Sequence, residues 1–467
     1  MNIQKKLREL GYNSVPQTFY SLARLWESWY IGNAADFHTY KVYNGIEYID
    51  CHRYSVGMAK KVCEDWANLL LNEKVSITLE GEAEQAFVDE VLLRNNFRVK
   101  GNEMQERKAA VGTVAYVARV EGVTVRDDTG EIIDAGEIKL DYCDAQTIYP
   151  LSWENGMVRE CAFCTTTRHD GKEYTYMQMH LLEGGKYKIE NRMFEGSKAV
   201  PLGSLPGYEN VPEVIYTDSD MPQFILDRLN IANPDYNNPM GVAVFSSAID
   251  QLKGVDIAYD AYVNEFVLGK KRIVVKPEAA RDINGRPVFD AAETVYYALP
   301  EDSDSGTMLQ QVDMTLRTAE FNAGMQDMLN MLSSKCGFGE AHYKFDRGSV
   351  ATATQVISEN STLFRTVKKH EILLEQVLVN LCRMILRMGN KYMGMALDED
   401  VEISIDFDDS IIEDKQADFA RDLQMLSAGI LNDWEFRMKW MNEDEQTARA
   451  ALPGMDALTT EGQSEVE

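Results

Sequence analysis

The spacing of apolar positions along this chain changes period twice. In the first hundred residues it runs at three and four. Within 54–74, Val56, Ala59, Val62, Trp66, Leu69 and Leu70 share one helical face. Residues 1–30 read as helix anchored by Trp26 and Tyr30, and 82–97 and 99–111 form two more helices around the asparagine pair at 95–96. The period then drops to two. TVAYVARVEG and GEIKLDYC flank a DDTG turn at 127–130. QTIYPLSW, MVRECAFCTTT, KEYTYMQMHLL and KYKIENRMF follow, separated by Asn155–Gly156, an HDG triplet and Gly184–Gly185. Alternation broken by such turns predicts an antiparallel meander of about five to seven strands.

A proline- and asparagine-rich stretch, NIANPDYNNPMG at 230–241, separates this half from a different architecture. Residues 242–270 are predicted as one long helix with Val242, Phe245, Ile249, Leu252, Asp256, Tyr259, Tyr262 or Val263, and Phe266 along its seam, ending at Gly269. KRIVVKP, TVYYALP and MLQQVDM read as strands of a small β module, with INGRP as a turn. A second helix, 317–336, carries Phe321, Met325, Met328 and Leu332 on one face. The two helices can lie antiparallel, as a stalk with the β module at its tip. The glycine-rich GFGEAHYKFDRGS breaks the chain at 337–349 before a helix that runs to about Lys391. Its seam is Val356, Leu363, Val367, Leu374 and Leu378, with Asn360, His370 and Glu371 close by. Ser349 or Thr352 can cap its first turn. A strand at 401–410, two or three short helices and a disordered tail, TTEGQSEVE, complete an α+β chain.

Charge narrows the function. The chain has 467 residues, enough for two or three domains, with 47 basic and 75 acidic side chains and a net charge of −28. A surface that acidic repels a nucleic-acid backbone and gains little at an anionic membrane. No stretch approaches the roughly 20 apolar residues of a membrane span, and MNIQKKLREL lacks the apolar run of a signal peptide. These features, with seven scattered cysteines, predict synthesis in a reducing cytoplasm. Cys161 and Cys164 form a CxxC with no second pair to complete a zinc site. Phosphate-loop, nucleophile-elbow and HExxH patterns are missing. His370, beside a helical seam, reads as a satisfied, partly buried histidine. The acidic clusters at 301–304 and 406–409 fall in loops and at a strand end. No metal or cofactor is expected, and the chain reads as a part rather than a catalyst.

Four stretches, in order, carry a resemblance: WANLLLNE (66–73), NNFRVKGNEMQERKAAVGTVAYVARV (95–120), GVAVFSSAIDQLKGVDIAYDAYVNEFVLGKKRIVV (241–275) and FDRGSVATATQVISENSTLFRTVKKHEILLEQVL (345–378). With the helix–β module–helix unit between the last two, the chain resembles the portal proteins of tailed bacteriophages over roughly 20–450. It is most similar to those of siphophages of Gram-positive bacteria. The resemblance implies a portal-type α+β fold: a wing over 1–240, stem helices over 241–270 and 317–337, and a clip over 271–316. A tunnel loop follows at 338–351, then a long helix and returning strand of the wing at 352–410, and a short crown and tail at 411–467.

It further implies a ring, usually a dodecamer, in the portal vertex of the virion, made in the host bacterial cytoplasm. Implied partners are the large terminase subunit, a head-completion or adaptor protein, major capsid and scaffolding proteins, and double-stranded DNA passing without sequence specificity. No membrane is involved. Candidate DNA-channel residues are Lys335, Lys344, Arg347 and Lys253; candidate docking residues on the clip are Lys271, Arg272, Tyr296 and Tyr297. Strands KRIVV and TVYYAL can pair between adjacent subunits and so cover their edges. Other readings are a ring or scaffold protein unrelated to DNA, a capsid or minor head protein of the same virion, or a metal-dependent nucleic-acid enzyme using Asp406, Asp408 and Asp409.

Overall fold

The computed structural model describes residues 2–122, 124–125, 132–134, 136–269, 272–275, 296–298, 309–312, 315–340, 342–344, 353–407, 415–441 and 443–451. The chain forms two units, Met1–Phe407 and Asp408–Glu467.

The helix expected over 1–30 is two. Helix α1 (Ile3–Glu9) starts where the Asn2 side chain accepts the Lys5 N–H, at 2.9 Å. Helix α2 (Gln17–Ile31) starts after Pro16 and ends on Gly32 at φ 78°. The missing N–H and fixed φ of Pro16 suit a first turn and not a helix interior. Helix α2 buries Phe19, Tyr20, Ala23, Trp26 and Trp29. A short α3 (Ala35–His38) leads into a hairpin that the periodicity did not predict, β1 (Thr39–Tyr43) with β2 (Tyr48–His52). Its side chains are mostly exposed on both faces, so no alternation marks it. The Asn44 side chain accepts the N–H groups of Ile46 and Glu47 at 2.8 Å and closes its turn.

Helix α4 (Met58–Leu70) begins later than the periodicity suggested, after Gly57 at φ 74°. Strand β3 (Ser76–Leu79), α5 (Glu82–Arg94) and α6 (Phe97–Val111) follow. The predicted meander is divided. Strands β4 (Thr113–Glu121), β5 (Thr124–Val125), β6 (Ile132–Asp134) and β7 (Glu137–Asp144) precede it. The meander itself is β8 (Ile148–Glu154), β9 (Met157–His169), β10 (Lys172–Glu183), β11 (Lys186–Glu195) and β12 (Lys198–Val200), with β13 (Val214–Tyr216) also on β11. A separate sheet sets β4 between β7 and β14 (Phe224–Arg228). The turns read from sequence are present: Asn155–Gly156 has φ of 51° and 75°, and Asp170–Gly171 has 49° and 74°. Two consecutive positive φ values are what a two-residue hairpin requires.

Helix α7 (Ile249–Leu268) is shorter than the predicted 242–270. Val242 and Phe245 are buried as expected, but outside the helix, Val242 in chain without regular structure and Phe245 in a turn. The cause is a close backbone crossing. Gly241 donates its N–H to Thr113 Oγ1 at 2.7 Å, Val244 donates to the Ala109 carbonyl at 2.9 Å, and a Cβ on Gly241 would lie 2.2 Å from the Gly112 oxygen. Backbone committed to the end of α6 cannot make helical bonds. Strands β15 (Arg272–Val275), β16 (Tyr296–Ala298) and β17 (Leu309–Val312) and helix α8 (Thr318–Lys335) agree with the sequence reading.

Helix α9 (Ala353–Met393) runs 41 residues. Val367, Leu374 and Leu378 of its predicted seam are fully buried. It packs on α4, α5 and β14, and β18 (Ile403–Asp406) pairs antiparallel with β3. Between α6 and the β4 sheet lies a polar core: Lys108 Nζ meets Asp227 Oδ1 at 2.8 Å, both buried, and Gln105 Nε2 donates to Asp227 Oδ2 at 2.8 Å. Burial pulls the Lys108 ammonium below its ordinary pKa, against the pull of Asp227. The second unit holds α10 (Lys415–Ser427), α11 (Asp433–Met441) and α12 (Glu445–Ala450). Buried Asp422 accepts from Lys439 Nζ at 2.6 Å and Trp440 Nε1 at 3.2 Å, and Phe419, Phe436 and Trp440 cluster. The caps proposed at Ser349 and Thr352, and the terminal tail, lie outside the described residues.

Candidate functional site

Helices α7 and α8 are an antiparallel pair. Near one end Gly254 faces Met328, whose sulfur lies 3.1 Å from where a Cβ would stand. Near the other, the Arg317 guanidinium forks onto Glu265 through Nε at 3.1 Å and Nη2 at 2.8 Å. Hydrogen bonding from Arg317 holds the Glu265 carboxyl below its ordinary pKa. Tyr262 meets Phe321 edge-on between them. The three strands between the helices form one sheet. Strand β15 runs antiparallel to β17, with Arg272 opposite Val312, and parallel to β16, with Ile273 opposite Tyr296 and Val274 opposite Tyr297.

The base of the pair is held by carboxylates on its apolar seam. Asp256, buried on α7, sits 2.9 Å from His38 Nε2 and accepts the Ser55 hydroxyl at 3.0 Å and the Val56 N–H at 2.8 Å. One turn on, Asp260 accepts the Tyr54 N–H at 3.1 Å. The His38 Nδ1 accepts the Ala34 N–H at 2.9 Å, which makes Nε2 the donor to Asp256. The segment 53–57, which leads from β2 into α4, is thereby tied to the stalk.

The chain leaving α8 is held as firmly. Gly337 at φ 91° donates to the Ser334 carbonyl, and Phe338 donates to that of Ser333. This is the six-to-one, five-to-two pattern that ends a helix on glycine. Trp66 Nε1 donates to the Cys336 carbonyl at 3.0 Å, and Ser333 Oγ donates to that of Gly339. His342 stacks on Phe338 at 4.4 Å and lies 3.5 Å from Asp65 Oδ2. Tyr343 donates its hydroxyl to the same oxygen at 3.0 Å, and Gln326 Nε2 donates to the Tyr343 carbonyl at 2.9 Å. Burial would raise the Asp65 carboxyl, but bonds from His342, Lys61 and Tyr343 together hold it below its ordinary pKa. Burial, then the Asp65 charge, pushes the Tyr343 phenol far up.

Lys335 ends α8 and Lys344 follows the anchored Tyr343; both are exposed. Lys253, near the start of α7, pairs with Asp250 at 3.0 Å and lies at the same end of the stalk as Lys335. Arg347 and Lys271 lie outside the described residues. Arg272, Tyr296 and Tyr297 are brought into one sheet. His370 is the buried, satisfied histidine the sequence suggested: its Nδ1 accepts the Asn230 N–H at 3.0 Å and its ring meets Trp66 edge-on. Glu371 is also buried, 3.0 Å from Lys368. Sequence reasoning did not assign roles to Asp65, His38 or Asp260. Asp256 was placed on the seam without one, although a carboxylate on an apolar stripe is itself a signal that a buried partner exists.

Cys161 and Cys164 are free, buried thiols whose pKa values burial raises. Asp406 is an exposed strand residue, and Asp408 and Asp409 lie outside the described residues. Among the described residues no group of three or more acidic, histidine or cysteine side chains is placed to hold a metal. No described helix is long and apolar enough to cross a membrane.

The family model described as "Phage portal protein, SPP1 Gp6-like" matches residues 16–446. No curated protein matches the sequence. Solved structures similar to this chain include the following three. The neck of a native GTA particle computed with C12 symmetry is 12% identical, with 94% of this chain and 98% of that chain covered and a TM-score of 0.41. The virion of a native gene transfer agent particle is 10% identical, with 91% and 93% covered and a TM-score of 0.38. The neck of an empty GTA particle computed with C6 symmetry is 11% identical, with 91% and 94% covered and a TM-score of 0.41.

Proposed function

This chain belongs to the SPP1 Gp6-like phage portal protein family, and from that membership we propose how its parts divide the work. The chain is a subunit of the portal ring at one vertex of the capsid, the passage for the genome and the docking point for head and tail components. Our reading makes residues 1–240 and 352–410 the wing, 241–270 and 317–337 (with α7 and α8) the stem, 271–316 the clip, 338–351 the tunnel loop, and 411–467 a short crown and tail. Twelve copies close the ring through heterologous contacts, one face of each subunit meeting a different face of the next.

The observation that carries this reading is the antiparallel α7–α8 pair with a three-stranded sheet between its helices, inside a family match spanning nearly the whole chain. The portal does no covalent chemistry in this reading. It passes duplex DNA through a ring of subunits that each carry a net charge of −28, an acidity that keeps phosphates from settling on the wall. Lys335, Lys344, Arg347 and, second in rank, Lys253 are the cations that touch the backbone transiently. The clip, with Lys271, Arg272, Tyr296 and Tyr297, receives the large terminase subunit during packaging and the head-completion protein afterwards.

Negative-stain electron microscopy with mass measurement tests the ring: annular particles of twelve subunit masses are expected, and compact dimers without a hole would refute it. Deleting 277–310 tests the clip. Terminase binding should be abolished, and binding at full strength would remove the assignment.

A further inference from the structure

We propose that Asp65 is a positioning residue for the channel cations Lys335 and Lys344. It holds the turn between them against α4 through the Tyr343 hydroxyl and the His342 ring. The inference rests on the channel reading of those two lysines.

The turn is short and its fixed points are known. It leaves α8 through Gly337, where a Cβ would come within 3.0 Å of Thr366 Cγ2 and 3.3 Å of Trp66 Cζ2, so the backbone lies directly on α9 and α4. Trp66 holds the Cys336 carbonyl, and Ser333 holds that of Gly339. The last described residue before Lys344 is pinned twice: Gln326 on α8 takes the Tyr343 carbonyl, and Asp65 on α4 takes its phenol. Of the two bonds at Tyr343 it is the second that reaches outside the α8 segment, so it ties this end of the turn to α4 as the Trp66 bond ties its start. Its support is rigid. Val62, Trp66 and Leu70 on α4 are buried, and Lys61 engages the other Asp65 oxygen.

A lysine that is to meet a passing phosphate briefly must present its charge at one place. On a loose turn it can follow the strand and hold it. Preorganised support is what limits such wandering. The arrangement exposes Lys344 while burying most of the residue before it, as this demands.

The test compares Tyr343→Phe and Asp65→Asn with the full-length ring inside particles. Tyr343→Phe keeps the ring stacking and removes only the hydroxyl, so it remains informative if Asp65→Asn folds poorly. Amide hydrogen exchange over 336–344 should quicken about tenfold, the equivalent of about 1.4 kcal/mol for one charge-assisted bond. Ring assembly and global unfolding should stay as in the parent, while DNA packaged per particle falls. The same substitution in a Lys335→Gln/Lys344→Gln background should add no further packaging defect, which a merely structural role would not predict. Unchanged exchange in Tyr343→Phe overturns the inference. So does faster exchange with normal packaging, if Lys335→Gln/Lys344→Gln itself impairs packaging. Should the double lysine variant package normally while exchange still quickens, the channel reading fails and the anchor stands.

Discussion

Acid should destabilise the subunit through two histidines that have no catalytic or metal-binding part. His180 is fully buried on β10, its ring against Phe163 and Phe224, and neither ring nitrogen has a hydrogen-bond partner. Burial lowers its pKa from 6.5 to about 3. His370 on α9 is lowered to about 3 as well, by burial first and then by the Lys108 and Lys369 charges. Both folded values lie below the unfolded one. The unfolded chain therefore binds more protons between pH 6.5 and 3, and stability present above 6.5 is lost as pH falls through that window. At pH 5 each group costs about 2 kcal/mol, and the pair about 4 kcal/mol. Against a total of roughly 5–15 kcal/mol, that is a large share. His180→Leu removes one contribution and two unpartnered nitrogens, so it should gain about 1 kcal/mol at pH 7 and halve the loss on going to pH 5. Urea unfolding at pH 7 and 5, read by hydrogen exchange of β10 and α9 peptides, measures both effects. Depressed carboxylates such as Asp65 add their loss only below about pH 4, outside this comparison. Parallel loss in the parent and His180→Leu would refute the assignment of the slope to that ring.

Glycine substitutions should separate packed from open backbone. Gly241→Ala puts a methyl 2.2 Å from the Gly112 oxygen and should cost at least about 3 kcal/mol or prevent folding, whereas Gly324→Ala on α8 meets nothing within 4 Å and should gain about 0.5–1 kcal/mol in urea unfolding of the subunit. Trp66→Phe keeps an aromatic ring but leaves the Cys336 carbonyl unpaired, and a midpoint loss of about 1–2 kcal/mol is expected. Asp256→Ala strands His38, Ser55 and the Val56 N–H, should cost about 3 kcal/mol, and should speed hydrogen exchange over 39–57 before any other segment; uniform speeding would show that the carboxylate is not a local pin.

Helices with one strongly apolar face were legible, because a stripe at three and four is what burying a helix demands. The α9 seam from Val367 to Leu378 and the α8 span came through on that signal, with Leu363 half-buried and Val356 outside the described side chains, and the β9–β10–β11 meander on alternation and paired turn residues. The failures share a cause. The β1–β2 hairpin buries neither face, so it carries no period. The start of α7 was misplaced because Val242 and Phe245 keep helical spacing while their backbone is bonded to α6 and β4. The separation of β4 and β7 from the meander depends on β14, a strand too short and too far along the chain to be paired by pattern alone. The anchors at Asp65 and Asp256 escaped because a carboxylate's partner is chosen by the tertiary fold; here Tyr343 lies 278 residues from Asp65 and His38 lies 218 from Asp256.

The same anchors explain why a stalk this thin can belong to a subunit before ring closure. Among the described side chains of α7 (Ile249–Leu268), those buried are Leu252, Val255, Asp256 and Asp260, none of them beyond Asp260, and Ile257, Phe266 and Val267 stay exposed. Helix α8 likewise exposes Met328 and Met331 and buries Leu329 and Leu332. Two helices that cover only one face of each other gain too little apolar burial to hold their place alone. Polar bonds near the start of α7 and the end of α8 supply what burial does not: Asp256 and Asp260 to residues 54–56, Trp66 and Asp65 to residues 336–343. A bond is lost or kept according to direction, where apolar contact tolerates sliding. An end secured by directed bonds therefore keeps its bearing while the rest of the stalk awaits its neighbours. In the proposed ring, with α7 and α8 as the stem, each pair would stand between two copies, and the faces left bare within one subunit are those that closure would cover.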